Sequence, residues 1–426
     1  MQTNLANFIK HTPEGEEADT ILRSCVHCGF CLATCPTYQL LGDELDSPRG
    51  RIYLMKQVLE GQSVTQKTQQ HLDRCLTCRA CETTCPSGVQ YSRLLDIGRR
   101  VVHKKVKRKL RDRAIRYLLI KTLPNRYLFR PLFKLGQLFR PFLPAKLKKS
   151  IPSHTLKNKD WPTTRHSRRM LLLDGCVQPS FSPNINIATA NVLDKLGISL
   201  IKAEKAGCCG ALSYHLDAHQ ESMDQMRRNI DAWWPFIDKR TNSQPIEAIV
   251  ITASGCGATV KEYGHLLRHD PAYADKAQHI SALAKDISEI LALETNALAT
   301  LFKRLGDKAS TKLAFHSPCT LQHGMQIRGS VEKILSTAGF TLCTVKDAHL
   351  CCGSAGTYSI LQPELSQQLL KQKIAALTSD GPSQLVTANI GCLMHLQSGT
   401  SLPVKHWIEI LDLTLDAGAD PKTSDQ

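Results

Sequence analysis

Beyond residue 169 of the chain, short wholly apolar runs alternate with stretches whose apolar residues recur every third or fourth position, the pattern of strands exchanging with helices in an α/β domain. "MLLLDGC" predicts a strand reaching Cys176, "SPNINIATANVLDKLG" a helix and "ISLIKA" a second strand, after which come Cys208, Cys209 and Gly210. A long helical stretch through Trp233 and Trp234 precedes "AIVITASGC", a strand ending at Cys256. The order then repeats. "KLAFHSPC" predicts a strand reaching Cys319, "SVEKILSTAGF" a helix and "TLCTVK" a strand; then follow Cys351, Cys352 and Gly353, the helix "PELSQQLLKQKIAALTSD", and "QLVTANIGC", a strand reaching Cys392. Cys176 and Cys319, Cys208 and Cys351, and Cys209 and Cys352 are each 143 residues apart, and Cys256 and Cys392 are 136 apart, a difference that one loop insertion or deletion explains. In each half the cysteines follow the carboxyl ends of predicted strands, where ligand sites of open α/β sheets gather. Four thiols per half are therefore expected to converge, and adjacent cysteines present two ligands from one tight turn, with Gly210 and Gly353 letting backbone approach a bulky cofactor.

The first hundred residues read differently. In "SPRGRIYLMKQVLEG", Ser47 and Pro48 form an N-cap and first-turn pair, apolar residues fall at Ile52, Met55 and Leu59, and Gly61 can end the helix. This helix lies between "CVHCGFCLATCP" and "CLTCRACETTCP", in which four cysteines and a proline recur at a constant offset of 50. Two-residue gaps let three thiolates curl around one face of a cubane while backbone N–H groups point at its sulfides, and the trailing proline turns the chain away. This is bacterial ferredoxin spacing, in which the fourth cysteine ligates the other cluster. The expected sets are Cys25, Cys28, Cys31 and Cys85 for one [4Fe-4S] centre, and Cys75, Cys78, Cys81 and Cys35 for its partner. A pair of zinc sites is the competing reading, but zinc typically uses two separated C-x2-C pairs rather than two complete runs. The 39-residue helical spacer does not suit a compact ββ ferredoxin and resembles the α-helical ferredoxin module of succinate dehydrogenase and related respiratory iron-sulfur subunits.

Composition narrows the chemistry. The chain has 426 residues, enough for two to four domains, and 17 cysteines. The first twenty residues hold no leader-like apolar stretch or cleavage site, so reduced thiols for metal or redox work are expected rather than a disulfide framework. No run approaches the roughly 20 apolar residues of a membrane span. Charge is concentrated: residues 99–169 hold 23 Lys or Arg against Asp112 and Asp160, a net of +21 in a chain whose total is +16. Aromatic and aliphatic residues from Tyr117 to Phe142 interleave with these cations, and prolines at 124, 131, 141 and 144 are expected to break the segment into short pieces. Such a segment suits an anionic membrane surface; packing on a partner or on its own domains is the alternative. A basic patch without a recognition motif is no argument for nucleic acid. "GCGATV" does not complete a dinucleotide fingerprint. Trp233 and Trp234 are expected in core or interface, Cys343 as a buried filler, and His316, His349 and His395, all near the thiols, as loop histidines or as partners of a cluster.

The paired Cys-Cys-Gly halves resemble the cysteine-rich CCG domains of heterodisulfide reductase subunits and respiratory iron-sulfur subunits. With the N-terminal runs, and with "SPRGRIYLMKQVLEG", "HSPCTLQHG" and "CCGSAGTYSI", the chain resembles the iron-sulfur subunits of bacterial glycolate oxidase (glycolate dehydrogenase) over nearly its whole length. One departure stands out: the fullest CCG pattern ends in C-x2-C, whereas "CGAT" follows from Cys256 and "CLMH" from Cys392, so a fifth thiol is missing in both halves. The resemblance implies an α+β multidomain chain: an α-helical domain at 1–98 with two [4Fe-4S] clusters, a basic amphipathic linker at 99–168, and two α/β CCG domains at 169–305 and 306–426 related by internal repeat. Cys176, Cys208, Cys209, Cys256, Cys319, Cys351, Cys352 and Cys392 are candidate ligands of an additional cluster or zinc, with merely packed thiols as the alternative. It further implies an electron-transfer subunit, not catalytic alone, taking electrons from FAD-containing subunits that oxidise glycolate, and D-lactate with it, toward the membrane quinone pool. Its expected place is the cytoplasm, peripheral on the inner face of the cytoplasmic membrane, with no nucleic acid partner. A thiol-disulfide reductase subunit and a zinc-binding scaffold are the alternatives.

Overall fold

In the computed structural model, which describes residues 1–142, 159–238, 240, 244, 246–303 and 311–416, Ser47 caps its helix as the sequence predicts, its hydroxyl accepting from the Gly50 N–H, and the helix runs Pro48–Leu59. It packs against the helices Pro13–Ser24, Gln66–Asp73 and Tyr91–Lys105 around Leu22, Met55, Leu59, Leu72, Leu94 and Leu95, all fully buried. Burying one such side chain contributes about 1.5–3 kcal/mol. The described residues before position 142 contain no strand.

Among the described residues of the region expected as a linker, 99–142 are largely helical. Tyr91–Lys105 runs through position 98, and the helices Leu110–Thr122 and Arg126–Leu138 follow. The latter continues through Pro131, because Phe129 and Phe133 beside it are anchored on Phe181 of the first sheet domain, with ring centroids 5.6 and 4.5 Å away. Arg108 pairs with Asp73 and Asp217, and Lys121 with Glu221, so part of the positive charge fastens this hairpin to both neighbours. Pro144 and the rest of that segment to residue 158 lie outside the described residues, as does the expected boundary at 305/306.

The repeat is real in three dimensions. In the first half β1 (Arg168–Leu172), β2 (Ile198–Lys202), β3 (Ile249–Ile251) and β4 (Ala284–Asp286) form a parallel sheet in the order β2-β1-β3-β4. In the second, β5 (Lys312–His316), β6 (Thr341–Leu342), β7 (Gln384–Thr387) and β8 (Val404–His406) take the same order, β6-β5-β7-β8. The strands stop short of the cysteines they were expected to reach. β1 ends four residues before Cys176, while Cys256 and Cys392 sit in the first turns of the helices Ser254–Lys261 and Ile390–Gly399. β4 and β8 have no apolar run to reveal them; pairing against β3 and β7 makes them strands. The halves share one core that includes Leu172, Val250, Leu313 and Val386. His406 Nε2 donates to the Thr252 carbonyl at 2.8 Å and the Ser254 N–H to Ala388 at 3.2 Å, joining the ends of the two sheets.

Candidate metal centres

The two N-terminal runs adopt the same conformation. His27 and Gly29 in the first, and Thr77 and Arg79 in the second, have positive φ between 52° and 85°. For His27, Thr77 and Arg79 this left-handed geometry costs about 1–2 kcal/mol each. It alternates with ordinary backbone so that successive N–H groups face one concavity, an anion-binding nest; the Thr77 N–H, for one, points at Cys75 Sγ at 3.5 Å. Cys25, Cys28, Cys31 and Cys85 line one cavity, which Cys81 also borders. Burial, then the thiols of Cys25, Cys28 and Cys35, push Cys31 up to about 11. Cys35 does not line that cavity; its thiol acts on Cys31 of the first run and also on Cys78 and Cys81 of the second, where Cys81 is raised by burial and then by Cys78, Cys75 and, beyond Glu82, Cys35. Four gathered thiols with backbone donors turned inward are the environment a [4Fe-4S] cluster requires, and the residues present fit it.

The two nests differ in setting. Cys28 is exposed, flanked by Val26 and Phe30 at 67% and 62% exposure. The second nest is enclosed, and sequence reading missed what surrounds it. Arg51, 1% exposed, donates to the His71 carbonyl at 2.7 Å and Thr37 Oγ1 at 3.1 Å, pairs with buried Asp46 at 3.2 Å, and places Nη1 4.0 Å from Cys35 Sγ. Burial opposes its charge, but Cys75, Tyr91, Cys35 and Asp46 outweigh this and hold the guanidinium cationic. Tyr91 donates its hydroxyl to Cys75 Sγ at 3.6 Å. A helical arginine four residues after a serine cap carries no local signature of this role.

Both cysteine-rich halves gather their four thiols. In the first, Cys208 takes hydrogen bonds from Cys176 and Cys209 and is held well below the usual thiol range, while Cys209 also meets Cys256. In the second, Cys319 and Cys351 are 3.8 Å apart, Cys351 meets Cys352, and Cys352 meets Cys392. The glycines act differently from the sequence expectation. Gly210 and Gly353 have φ of 94° and 90°, and a Cβ on Gly353 would lie 2.7 Å from the Ser366 carbonyl oxygen. The close approach is to a helix, not to the thiol pocket, and Ser222 and Ser366 complete it by donating to the Gly210 and Gly353 carbonyls. The Gly353 N–H points at Cys351 Sγ at 3.4 Å.

Of the three histidines singled out, His349 contributes its carbonyl to His323, and His395 is bound to Ser366 Oγ and the Cys352 backbone. His316 belongs to the site. One of its ring nitrogens lies within 4.8 Å of the Cys352 and Cys392 sulfurs, which are as close to each other, and burial pushes its pKa down to about 3. Trp233 is fully buried core, and Cys343 lies apart against the Asp380 carbonyl.

The second thiol set also adjoins the second N-terminal nest. Leu76, Cys319, Cys351 and Tyr358 form one buried cluster on which Cys78 packs, and Tyr358 donates to the Arg74 carbonyl at 3.1 Å. The first half meets the helical domain through ion pairs, Arg79 and Arg93 to Glu262 and Arg268 to Glu17. A cavity of about 330 Å³ lies between them, with Cys78, Asp96, His215 and His219 on its wall.

Two ligand nests on a helical domain, one at the surface and one buried against paired cysteine-rich sheets, define an iron-sulfur protein of the electron-transfer class. Residues 21–89 match the 4Fe-4S dicluster domain, and residues 170–261 and 313–397 match the Cysteine-rich domain. The chain is 55% identical over 416 residues to the glycolate oxidase iron-sulfur subunit of Escherichia coli (strain K12), covering 98% of this chain and 100% of that one. It is 31% identical to the probable glycolate oxidase iron-sulfur subunit of Bacillus subtilis (strain 168), covering 98% and 97%. Lactate utilization protein A of Bacillus subtilis (strain 168) is 26% identical over 243 residues, 56% of this chain and 96% of that one. The chain belongs to the family of glycolate oxidase iron-sulfur subunits.

Proposed function

We propose that the chain receives electrons from FAD-containing subunits that oxidise a 2-hydroxy acid, glycolate and with it D-lactate, and delivers them toward membrane quinone. The observation that carries this reading is the near full-length identity to the Escherichia coli subunit. In it, Cys25, Cys28, Cys31 and Cys85 hold one [4Fe-4S] cluster and Cys75, Cys78, Cys81 and Cys35 the other, while the thiols of the cysteine-rich halves hold a further cluster or zinc. When bound, each cluster exchanges one electron at a time, dividing a two-electron oxidation into single steps. The residues give the path a direction. Val26 and Phe30 offer an apolar face for a flavoprotein beside the exposed nest, and Arg51 and Tyr91 favour negative charge at the buried one. Reducing a quinone takes two electrons and two protons. The cavity beside Cys78 suits a quinone headgroup, and Asp96 on its wall, its carboxyl raised by burial to about 7, is placed to relay a proton. Glycolate added anaerobically to the purified chain should leave its visible absorbance unchanged, and adding the flavoprotein subunits should bleach it. Bleaching of the chain alone would overturn the reading.

No described helix is long and apolar enough to cross a membrane, and the helical hairpin supplies a surface contact instead. Leu118, Tyr127, Leu132, Leu138, Phe139 and Phe142 are at least half exposed among exposed cations. Through Arg108–Asp217 and Lys121–Glu221 the hairpin is fastened to the segment that carries His215 and His219 of the cavity wall. The proposed location is peripheral, on the inner face of the cytoplasmic membrane, and the exposed apolar and cationic residues of the hairpin support it. Replacing Lys107, Lys109, Arg111, Arg113, Arg130 and Lys134 by glutamine, at about 1 kcal/mol per cation near an anionic surface, should weaken binding to phosphatidylserine vesicles more than tenfold in a flotation assay. Unchanged binding would assign the hairpin to a protein partner.

A further inference from the structure

The two cysteine-rich halves are alike in their thiols and differ at a position beside them. Residue 316 stands at the end of β5, and 143 positions earlier, just past the end of β1, stands Leu173. Leu173 is 3% exposed and packs in the apolar core of its half. His316 is 2% exposed, so both ring nitrogens must be satisfied away from water. Nδ1 is bound to Thr387 Oγ1 at 3.0 Å, from the neighbouring strand β7. Nε2 has no hydrogen-bond partner. Leaving such a group unpaired costs about 1–3 kcal/mol; one ring nitrogen lies within 4.8 Å of the sulfurs of Cys352 and Cys392, and Nε2 is the one that Thr387 leaves free for them.

Sequence spacing points to a different histidine. His395 occupies the place of the missing fifth thiol, three residues after Cys392. In the fold its Nε2 is engaged by Ser366 Oγ at 3.2 Å, and the ring also donates to the Cys352 carbonyl. Its nitrogens are used in holding the Cys-Cys-Gly turn. Thr387, by contrast, engages Nδ1 of His316 from the neighbouring strand, the place that a backbone carbonyl or carboxylate takes for most metal-bound histidines; accepting from Nδ1–H, its hydroxyl would leave the other nitrogen bare for a metal. Buried Lys373, which donates to the Asp347 carbonyl at 2.8 Å just ahead of Cys351, sets a cation beside the thiolates.

We propose that the second cysteine-rich domain holds a mixed thiolate–imidazole metal centre in which His316 Nε2 is a ligand with Cys352 and Cys392, and that the first domain, with Leu173 in that place, has none of this kind. The donor set is borderline-soft and suits zinc or iron. The proposal rests on the reading that this thiol site binds metal, and the experiment separates the two. The full chain, purified anaerobically, is analysed for iron and zinc, and its centres are examined by X-ray absorption at the zinc edge and by pulsed electron paramagnetic resonance for nitrogen coupling to a reduced iron centre. Expected are zinc, or iron beyond eight per chain, with an imidazole signature; His316→Leu, which installs the first domain's own residue, should lose that metal and signature together, as should Cys392→Ser. His395→Gln should keep both. An all-sulfur environment in the wild-type protein, or His316→Leu with unchanged metal and spectrum, overturns the ligation while leaving a thiol-bound metal standing. Metal no greater than two clusters' worth in the wild-type protein overturns both. The wild-type spectra decide the question even if His316→Leu fails to fold.

Discussion

Cys78→Ser and Cys35→Ser should each cut quinone reduction by the assembled complex more than about 100-fold, beyond what loss of an outer-shell partner costs a metal site, while glycolate-dependent reduction of a small dye persists. Both residues are assigned to the buried nest, although they lie in different runs. Cys35 reaches it because the fold brings Pro36 and the following turn against Asp46 and Arg51: Cys35 Sγ is 3.3 Å from Thr37 Oγ1 and 3.8 Å from the Asp46 carbonyl. The two variants should therefore lose the same spectroscopic centre, and Cys85→Ser should lose the other. The dye separates electron delivery from substrate oxidation, since it meets the flavin directly. If Cys35→Ser removed the centre that Cys85→Ser removes, the crossed assignment would fail; wild-type quinone reduction by Cys78→Ser would remove that nest from the path.

Arg51→Met should lower the reduction potential of the same centre by about 60 mV or more, the equivalent of a tenfold change for a one-electron couple, and destabilise the helical domain by about 3–5 kcal/mol. The two effects share one cause. Arg51 lies among Cys35, Cys75, Tyr91 and Asp46 and supplies a buried positive charge, so adding an electron nearby is easier while it is present. Removing it leaves Asp46, which is not exposed at all, with Arg74 at 2.7 Å and His71 at 3.1 Å as its remaining partners. Arg51→Lys should recover most of the potential and little of the stability, because an ammonium keeps the charge but cannot reproduce the fork that reaches Thr37, the His71 carbonyl and Asp46 together. Redox titration followed by paramagnetic resonance, alongside urea unfolding of the cluster-loaded protein, reads both quantities. A potential that stays put or rises in Arg51→Met would show that Arg51 holds the fold without tuning the centre.

What the sequence determined by itself was everything encoded within a dozen residues or by translation along the chain. The two four-cysteine runs were legible because ligand spacing and the left-handed residues at 27, 29, 77 and 79 are local properties of one loop repeated 50 positions on. The helix from Pro48, capped by Ser47, and the duplicated sheet halves were legible for the same reason: caps and apolar periods act over a few residues, and the offset of 143 announces the copy. Tertiary structure decided the rest. β4 and β8 are strands only because β3 and β7 offer them an edge, and the helix Arg126–Leu138 in the basic segment runs through Pro131 because Phe129 and Phe133 find Phe181. Gly353 is required by a helix 13 residues on, not by a cofactor. Which histidine faces the thiols, His316 rather than His395, and which cysteine-rich site adjoins Cys78 depend on contacts between residues tens to hundreds of positions apart. Such contacts form only when the whole chain has paid the entropy of closing those loops, so no window of sequence contains them.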